Sequence, residues 1–164
     1  MDKIEQTLRM LLSLLEDGNY IYHISGGFAA HLYGATRPVN DIDIVLPQAD
    51  FLRLSKALKK NITNGPSRCF SPPWDIWLSE LAFEDQLVDL SGDEQGRIQH
   101  KTSGEWVPLR EDFNSAQTLT KYGLTMKVQN PKDLMDYKRI ISFQGDEEKH
   151  LSDAAAVERW MKSV

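Results

Sequence analysis

Two carboxylates one residue apart on a short β-branched run, Asp41-Ile42-Asp43-Ile44-Val45-Leu46, constrain this chain more than any other feature. Side chains alternate between the two faces of a strand, so Asp41 and Asp43 share one side while Ile42, Ile44 and Leu46 share the other. The apolar side belongs in a core and the acidic side at a cleft. Like charges one pleat apart repel, which makes the pair costly unless a cation lies between them. Magnesium suits such a place, because it prefers hard oxygen ligands and commonly takes only one or two carboxylates from a protein.

What precedes this run agrees with it. Residues 20–24 are aromatic and β-branched and predict a strand that stops at Ser25-Gly26-Gly27; residues 28–33 predict a short helix. A glycine pair at a strand end lets backbone approach a ligand, and the free N–H groups of a helix start favour an anion, so Gly26 and Gly27 predict a phosphate cradle. Residues 34–40 hold Gly, Thr, Pro and Asn and predict a return connection, with Pro38 pushing Arg37 out of helical geometry. One short helix and one loop therefore separate cradle and carboxylates, and both face one cleft. Arg37 can bind phosphate bidentately or pair with an aspartate to fix the loop. Pro47 ends the acidic strand, and residues 49–60 predict a surface helix.

The chain has 164 residues, enough for one core, and is read as a single domain over 1–164 with a helical C-terminal part at 131–164. Apolar residues at helical spacing predict an opening helix over 4–15. Strands are predicted at 75–83, 86–90, 97–101, 106–109 and 124–128, with Glu84 and Asp85 as a hairpin turn and a further turn at Ser91-Gly92. Helices are predicted over 132–143 and 147–162, the first announced by Asn130 and Pro131. The excess of 24 acidic over 19 basic residues disfavours a long nucleic acid as partner. The one cysteine, Cys69, excludes an intrachain disulfide and fits a reducing cytoplasm, and no apolar run is long enough to span a membrane.

The stretch over 24–46, ISGGFAAHLYGATRPVNDIDIVL, resembles the polymerase-beta-like nucleotidyltransferase superfamily, especially its small single-domain bacterial members. The shared pattern is the glycine pair, a helix, Gly34, Arg37, then Asp41 and Asp43. The resemblance implies an α/β (α+β) fold with a mixed sheet flanked by helices. It also implies two magnesium ions and transfer of a nucleoside monophosphate from a nucleoside triphosphate to a hydroxyl acceptor. Ser25, Gly26, Gly27 and Arg37 then fall on the nucleotide side, and Asp41 and Asp43 become metal ligands. Such enzymes add a third carboxylate from a neighbouring strand. Among Glu80, Glu84, Asp85 and Asp89, Asp89 fits best, since it alternates with Val88 and Leu90 and projects from a strand end before the turn at Ser91.

Two departures bear on phosphate affinity: Gly27 stands where many members have Ser, and Val39 where many have Thr. The tail carrying Lys138, Lys149, His150 and Asp153 looks like the lysine-containing tail of some relatives, with Lys149 and Asp153 four apart as a surface pair. A degenerate member acting as a binding protein, such as one partner of a toxin–antitoxin pair, is the alternative, and retention of both aspartates weighs against it. His23 and His31 lack metal-ligand spacing and predict packed or surface positions. Phe70 and the tryptophans at 74, 77, 106 and 160 fit a core or groove wall and need no base-stacking role.

Overall fold

The computed structural model describes residues 2–142 and 146–164. Its elements run α1 (Lys3–Asp17), β1 (His23–Ser25), α2 (Gly26–Leu32), β2 (Asp41–Leu46), α3 (Gln48–Ala57), β3 (Ile62–Ser71), β4 (Trp74–Phe83), β5 (Gln86–Gln99), β6 (Trp106–Pro108), β7 (Gln117–Lys121), β8 (Leu124–Val128), α4 (Pro131–Ile140) and α5 (Glu147–Ser163). The eight strands form one sheet in the order β3-β4-β5-β2-β1-β8-β7, with β6 on the far half of β5. The sheet is mixed: β2 runs parallel to β5 and β1 parallel to β8, while the other pairs are antiparallel. This is the mixed, helix-flanked sheet implied by the resemblance. Among the described residues no helix is long and apolar enough to cross a membrane.

The helices form where apolar spacing permits them to bury one face. α1 buries Leu8, Leu11, Leu12 and Leu15 and stops at Gly18, whose amide donates to Leu14 O. α3 covers β5 and β2 with Phe51 and Leu54, over Ile42, Ile44, Val88 and Leu90, all fully buried. α4 starts where Asn130 accepts from Lys132 N at 2.9 Å with Pro131 in the first turn, as the sequence announces.

Several predicted boundaries are corrected. The first strand is His23–Ser25 rather than 20–24, and α2 begins at Gly26 itself rather than at Phe28. The predicted strands 86–90 and 97–101 are one strand, and there is no turn at Ser91-Gly92. A glycine is needed there because a Cβ on Gly92 would fall on Gln48 and Phe51 of α3; close packing, not chain reversal, is its reason. Asp89 consequently lies within a long strand instead of at a strand end. The helix predicted over 49–60 ends at Ala57 and continues as a single 3-10 turn, Lys59–Asn61. α4 ends at Ile140, and Phe143, the predicted end of that helix, lies outside the described residues. Two strands escape sequence reasoning, β3 and β7, and both are sheet edges. An edge tolerates the Gly65-Pro66 interruption and register shifts of β3, because one side of the strand owes no hydrogen bonds to a neighbour.

Candidate active site

The parallel pairing of β2 with β5 sets Asp43 opposite Asp89 and Asp41 opposite Leu87. Asp41, Asp43 and Asp89 then offer carboxylate oxygens that all lie within 4.8 Å of one another. Each residue is half-buried, and among the described residues none of the three forms an ion pair. The electrostatic consequence is large. Burial, then the charges of Asp41 and Asp89, push the Asp43 carboxyl up to about 7. Burial, then Asp41 and Glu80, push Asp89 up to about 6. Three hard oxygen donors converging without a compensating cation fit a magnesium ion.

The glycine pair makes room for this arrangement. Gly26 has φ of +64°, a conformation that favours glycine, and a Cβ there would occupy the position of the Asp43 carboxylate. A Cβ on Gly27 would fall on the guanidinium of Arg37. The room that the missing side chains leave at the start of α2 is thus taken by the site's own Asp43 and Arg37.

Ser25 and Arg37 both line the cleft, and their polar groups already have partners. Ser25 Oγ donates to Gln129 Oε1 at 2.7 Å, joining β1 to the residue after β8. Arg37 donates through Nε and Nη2 to the two oxygens of Asp153 at 2.8 and 2.7 Å, a bidentate pair between the α2–β2 loop and α5. Lys138 Nζ, on α4, donates to Asp153 Oδ2 at 2.9 Å. Asp153 is fully buried and Lys138 nearly so. Burial works to raise Asp153, but the Arg37 hydrogen bond and the charge of Lys138 outweigh it and hold the carboxyl below its usual value. Burial lowers Lys138 in spite of Asp153 beside it. The surface pair expected between Lys149 and Asp153 is not formed: Asp153 turns inward to Arg37 and Lys138, and Lys149 lines the cleft.

The cleft between the sheet and these helices has a volume of about 480 Å³. It brings together every residue singled out from the sequence, Ser25, Gly26, Gly27, Arg37, Asp41, Asp43 and Asp89, with Lys138, Lys149 and His150 on the helical wall. His23 is a packed residue, its Nε2 2.9 Å from Glu111 in a buried pair, and His31 Nδ1 lies 3.1 Å from Ala35 O. Trp77 packs against the core, Trp160 meets Tyr33 edge-on and Trp106 lies against Phe70, while Trp74 alone of the tryptophans reaches the cleft. The network around Asp153 was missed in the sequence, although a signal existed. Lys138 is four residues after Leu134 on the apolar stripe of α4, and a cation on a buried stripe requires a buried anion.

No family model and no curated protein matches this chain. Solved structures do. A Thermotoga maritima protein provisionally assigned as a nucleotidyltransferase superposes on all of the chain and 97% of its own, with a TM-score of 0.68 at 16% identity. A lincosamide antibiotic adenylyltransferase with lincomycin bound matches 93% of this chain and 97% of its own, with a TM-score of 0.60 at 13% identity. An antigenic nucleotidyltransferase-like protein of Paracoccidioides brasiliensis matches 95% of this chain and 75% of its own, with a TM-score of 0.59 at 21% identity. The chain has the nucleotidyltransferase fold.

Proposed function

We propose that this protein transfers a nucleoside monophosphate from a nucleoside triphosphate to a hydroxyl group, with magnesium. The observation that carries the reading is the convergence of Asp41, Asp43 and Asp89, none of them in an ion pair among the described residues, in a cleft whose helical wall carries Lys138 and Lys149. Asp41, Asp43 and Asp89 would hold magnesium, two ions as the resemblance implies, which when bound would neutralise triphosphate charge and acidify the acceptor hydroxyl. The rest is done by the chain itself. Backbone N–H groups at Gly26 and Gly27 donate to phosphate oxygens. Lys149, unpaired among the described residues, meets phosphate charge from the helical wall. Ser25 and Arg37 serve the nucleotide side by holding the cradle to Gln129 and to Asp153.

The acceptor oxygen forms its bond to the α-phosphorus as the bond to the bridging oxygen breaks, pyrophosphate leaves, and the hydroxyl proton passes to water. Lincomycin in one similar structure, and adenylyl-tobramycin in a structure of similar fold (TM-score 0.58, 14% identity), support a small acceptor and an adenine nucleotide. The test is pyrophosphate release from each of the four ribonucleoside triphosphates with magnesium, scored for transfer to added small hydroxyl compounds. Asp43→Ala should lower the rate on the order of a thousandfold or more, about 4 kcal/mol of barrier. A variant as active as the parent would sink the assignment.

A further inference from the structure

The cleft continues past the aspartates along β4. Trp74, Ile76, Leu78 and Glu80 are alternate residues of that strand, all line the cleft and all are half-buried, so they make one stripe of three apolar side chains ending in a carboxylate. The end of the stripe joins the site in register. Ser25 lies opposite Asp43, Asp43 opposite Asp89, Asp89 opposite Glu80 and Glu80 opposite Asn64, a single polar row across five strands. Asn64 Nδ2 donates to Glu80 Oε2 at 2.8 Å and fixes its direction. Glu80 is not one of the three carboxylates whose oxygens cluster, so it stands next to the candidate metal ligands without belonging to them.

Glu80 also lacks a cation. Among the described residues it forms no ion pair, and the two arginines of this arm, Arg68 and Arg97, are both held by Asp75. Asp75 alternates with the stripe and is buried on the other face of the sheet. The basic groups of the cleft come from elsewhere, Lys138 and Lys149 from the helical wall and Arg37 from the α2–β2 loop. The β4 stripe is therefore apolar from Trp74 to Leu78 and anionic at Glu80, with Ser71, Ser91 and Asp93 of the neighbouring strands also lining the cleft. A bound acceptor with an apolar body removes water from Trp74, Ile76 and Leu78, and a donor-bearing cation at the inner end answers Glu80. A phosphorylated or nucleic-acid acceptor would meet like charge there.

We propose that this stripe is the acceptor platform and that it selects a small molecule carrying a protonated amine near the reacting hydroxyl, the amine on Glu80 and the hydroxyl beside Asp89. The inference rests on the nucleotidyltransferase reading for the meaning of "acceptor", but its test does not.

Binding by calorimetry, without nucleotide, is measured for a panel of aryl and cyclohexyl amino alcohols, each paired with its N-acetyl counterpart, and for a short single-stranded RNA. The parent protein should bind the amines at least about tenfold more tightly than their N-acetyl partners, as a hydrogen bond to a charged group predicts. Glu80→Gln should erase that preference and change the N-acetyl compounds by less than about twofold, whereas Glu80→Asp, which keeps the charge, should retain its sign. Trp74→Ala should weaken both members of each pair alike. Equal binding within the pairs, an unaffected Glu80→Gln, tighter binding of RNA, or no binding across the panel would overturn the proposal. Magnesium-dependent binding of a non-hydrolysable ATP analogue to the parent protein is measured separately. Its absence counts against the nucleotidyltransferase reading and leaves the amine preference to stand or fall by itself.

Discussion

Two clusters of charge face the same cleft and obey opposite rules. Asp41, Asp43 and Asp89 gather three carboxyls with no ion pair among the described residues, and two of the three are held above their usual range. Asp153 gathers Arg37 and Lys138 around one fully buried carboxylate held below its usual value. The first cluster has no cationic partner in an ion pair among the described residues. The second is complete already, and its members hold the α2–β2 loop to α4 and α5. The acidic trio lines the cleft while Asp153 lies buried behind its wall, so the two clusters differ in both exposure and pairing.

Removing a carboxylate should therefore have opposite signs in the two places. The largest effect is expected at Asp153→Ala, which leaves Lys138 and Arg37 without their anion. A loss of about 3–5 kcal/mol in urea unfolding is predicted, and a loss below about 1 kcal/mol would erase the distinction between the clusters.

A smaller effect is expected from pH in the metal-free protein. The folded values for Asp43 and Asp89, about 7 and about 6, lie above the ordinary carboxylate value of 3.8. Their contribution to stability is therefore fully present below about pH 4 and lost as pH rises through the folded values. In chelator the melting temperature should fall by several degrees between about pH 5 and about pH 8, and Asp43→Asn should flatten the fall and raise Tm at the upper end. Magnesium should oppose the same fall. Asp153 works in the other direction, since its stabilisation is present above the ordinary carboxylate value and lost as pH drops below it. A metal-free protein whose Tm is flat or rising from about pH 5 to about pH 8 would contradict the account of the acidic trio.

The smallest effect sharpens the role of the row's inner end. Ser25→Ala removes the buried donor to Gln129, and about 1 kcal/mol of stability should go with it. If nucleotide affinity falls by far more than that, Ser25 touches phosphate directly.

The acidic strand was legible because its signal is local. The alternation of Asp41 to Leu46, the glycine pair before it and Pro47 after it all lie within one supersecondary unit. The sequence favours Asp89 for a place before a turn; the structure instead sets it in register with Asp43 inside a long strand, near Asp41 and Asp43, and no turn follows it. The outer sheet was least legible. β3 contains Gly65 and Pro66, and β7 offers only Leu119 as an apolar residue, so neither shows strand periodicity; pairing at an edge creates them. The Asp153 cluster was illegible as a cluster because its members stand at 37, 138 and 153, on a loop and two helices that meet only in the folded protein. Its separate residues are visible in the sequence, and of the two partners open to Arg37, phosphate or aspartate, the structure forms the pair with Asp153.

The bidentate bond between Arg37 and Asp153 spans 116 positions of chain, and that separation orders events during synthesis. A nascent chain that has emerged through β2 already holds the glycine pair, Asp41 and Asp43, but the loop before them has nothing to fasten to. Asp89 arrives later, on β5, and the fastening carboxylate later still. Contacts of such long range form after local ones. The basic wall of the cleft is therefore the last part of the site to be assembled, and a partly made chain carries the aspartates without the enclosure around them.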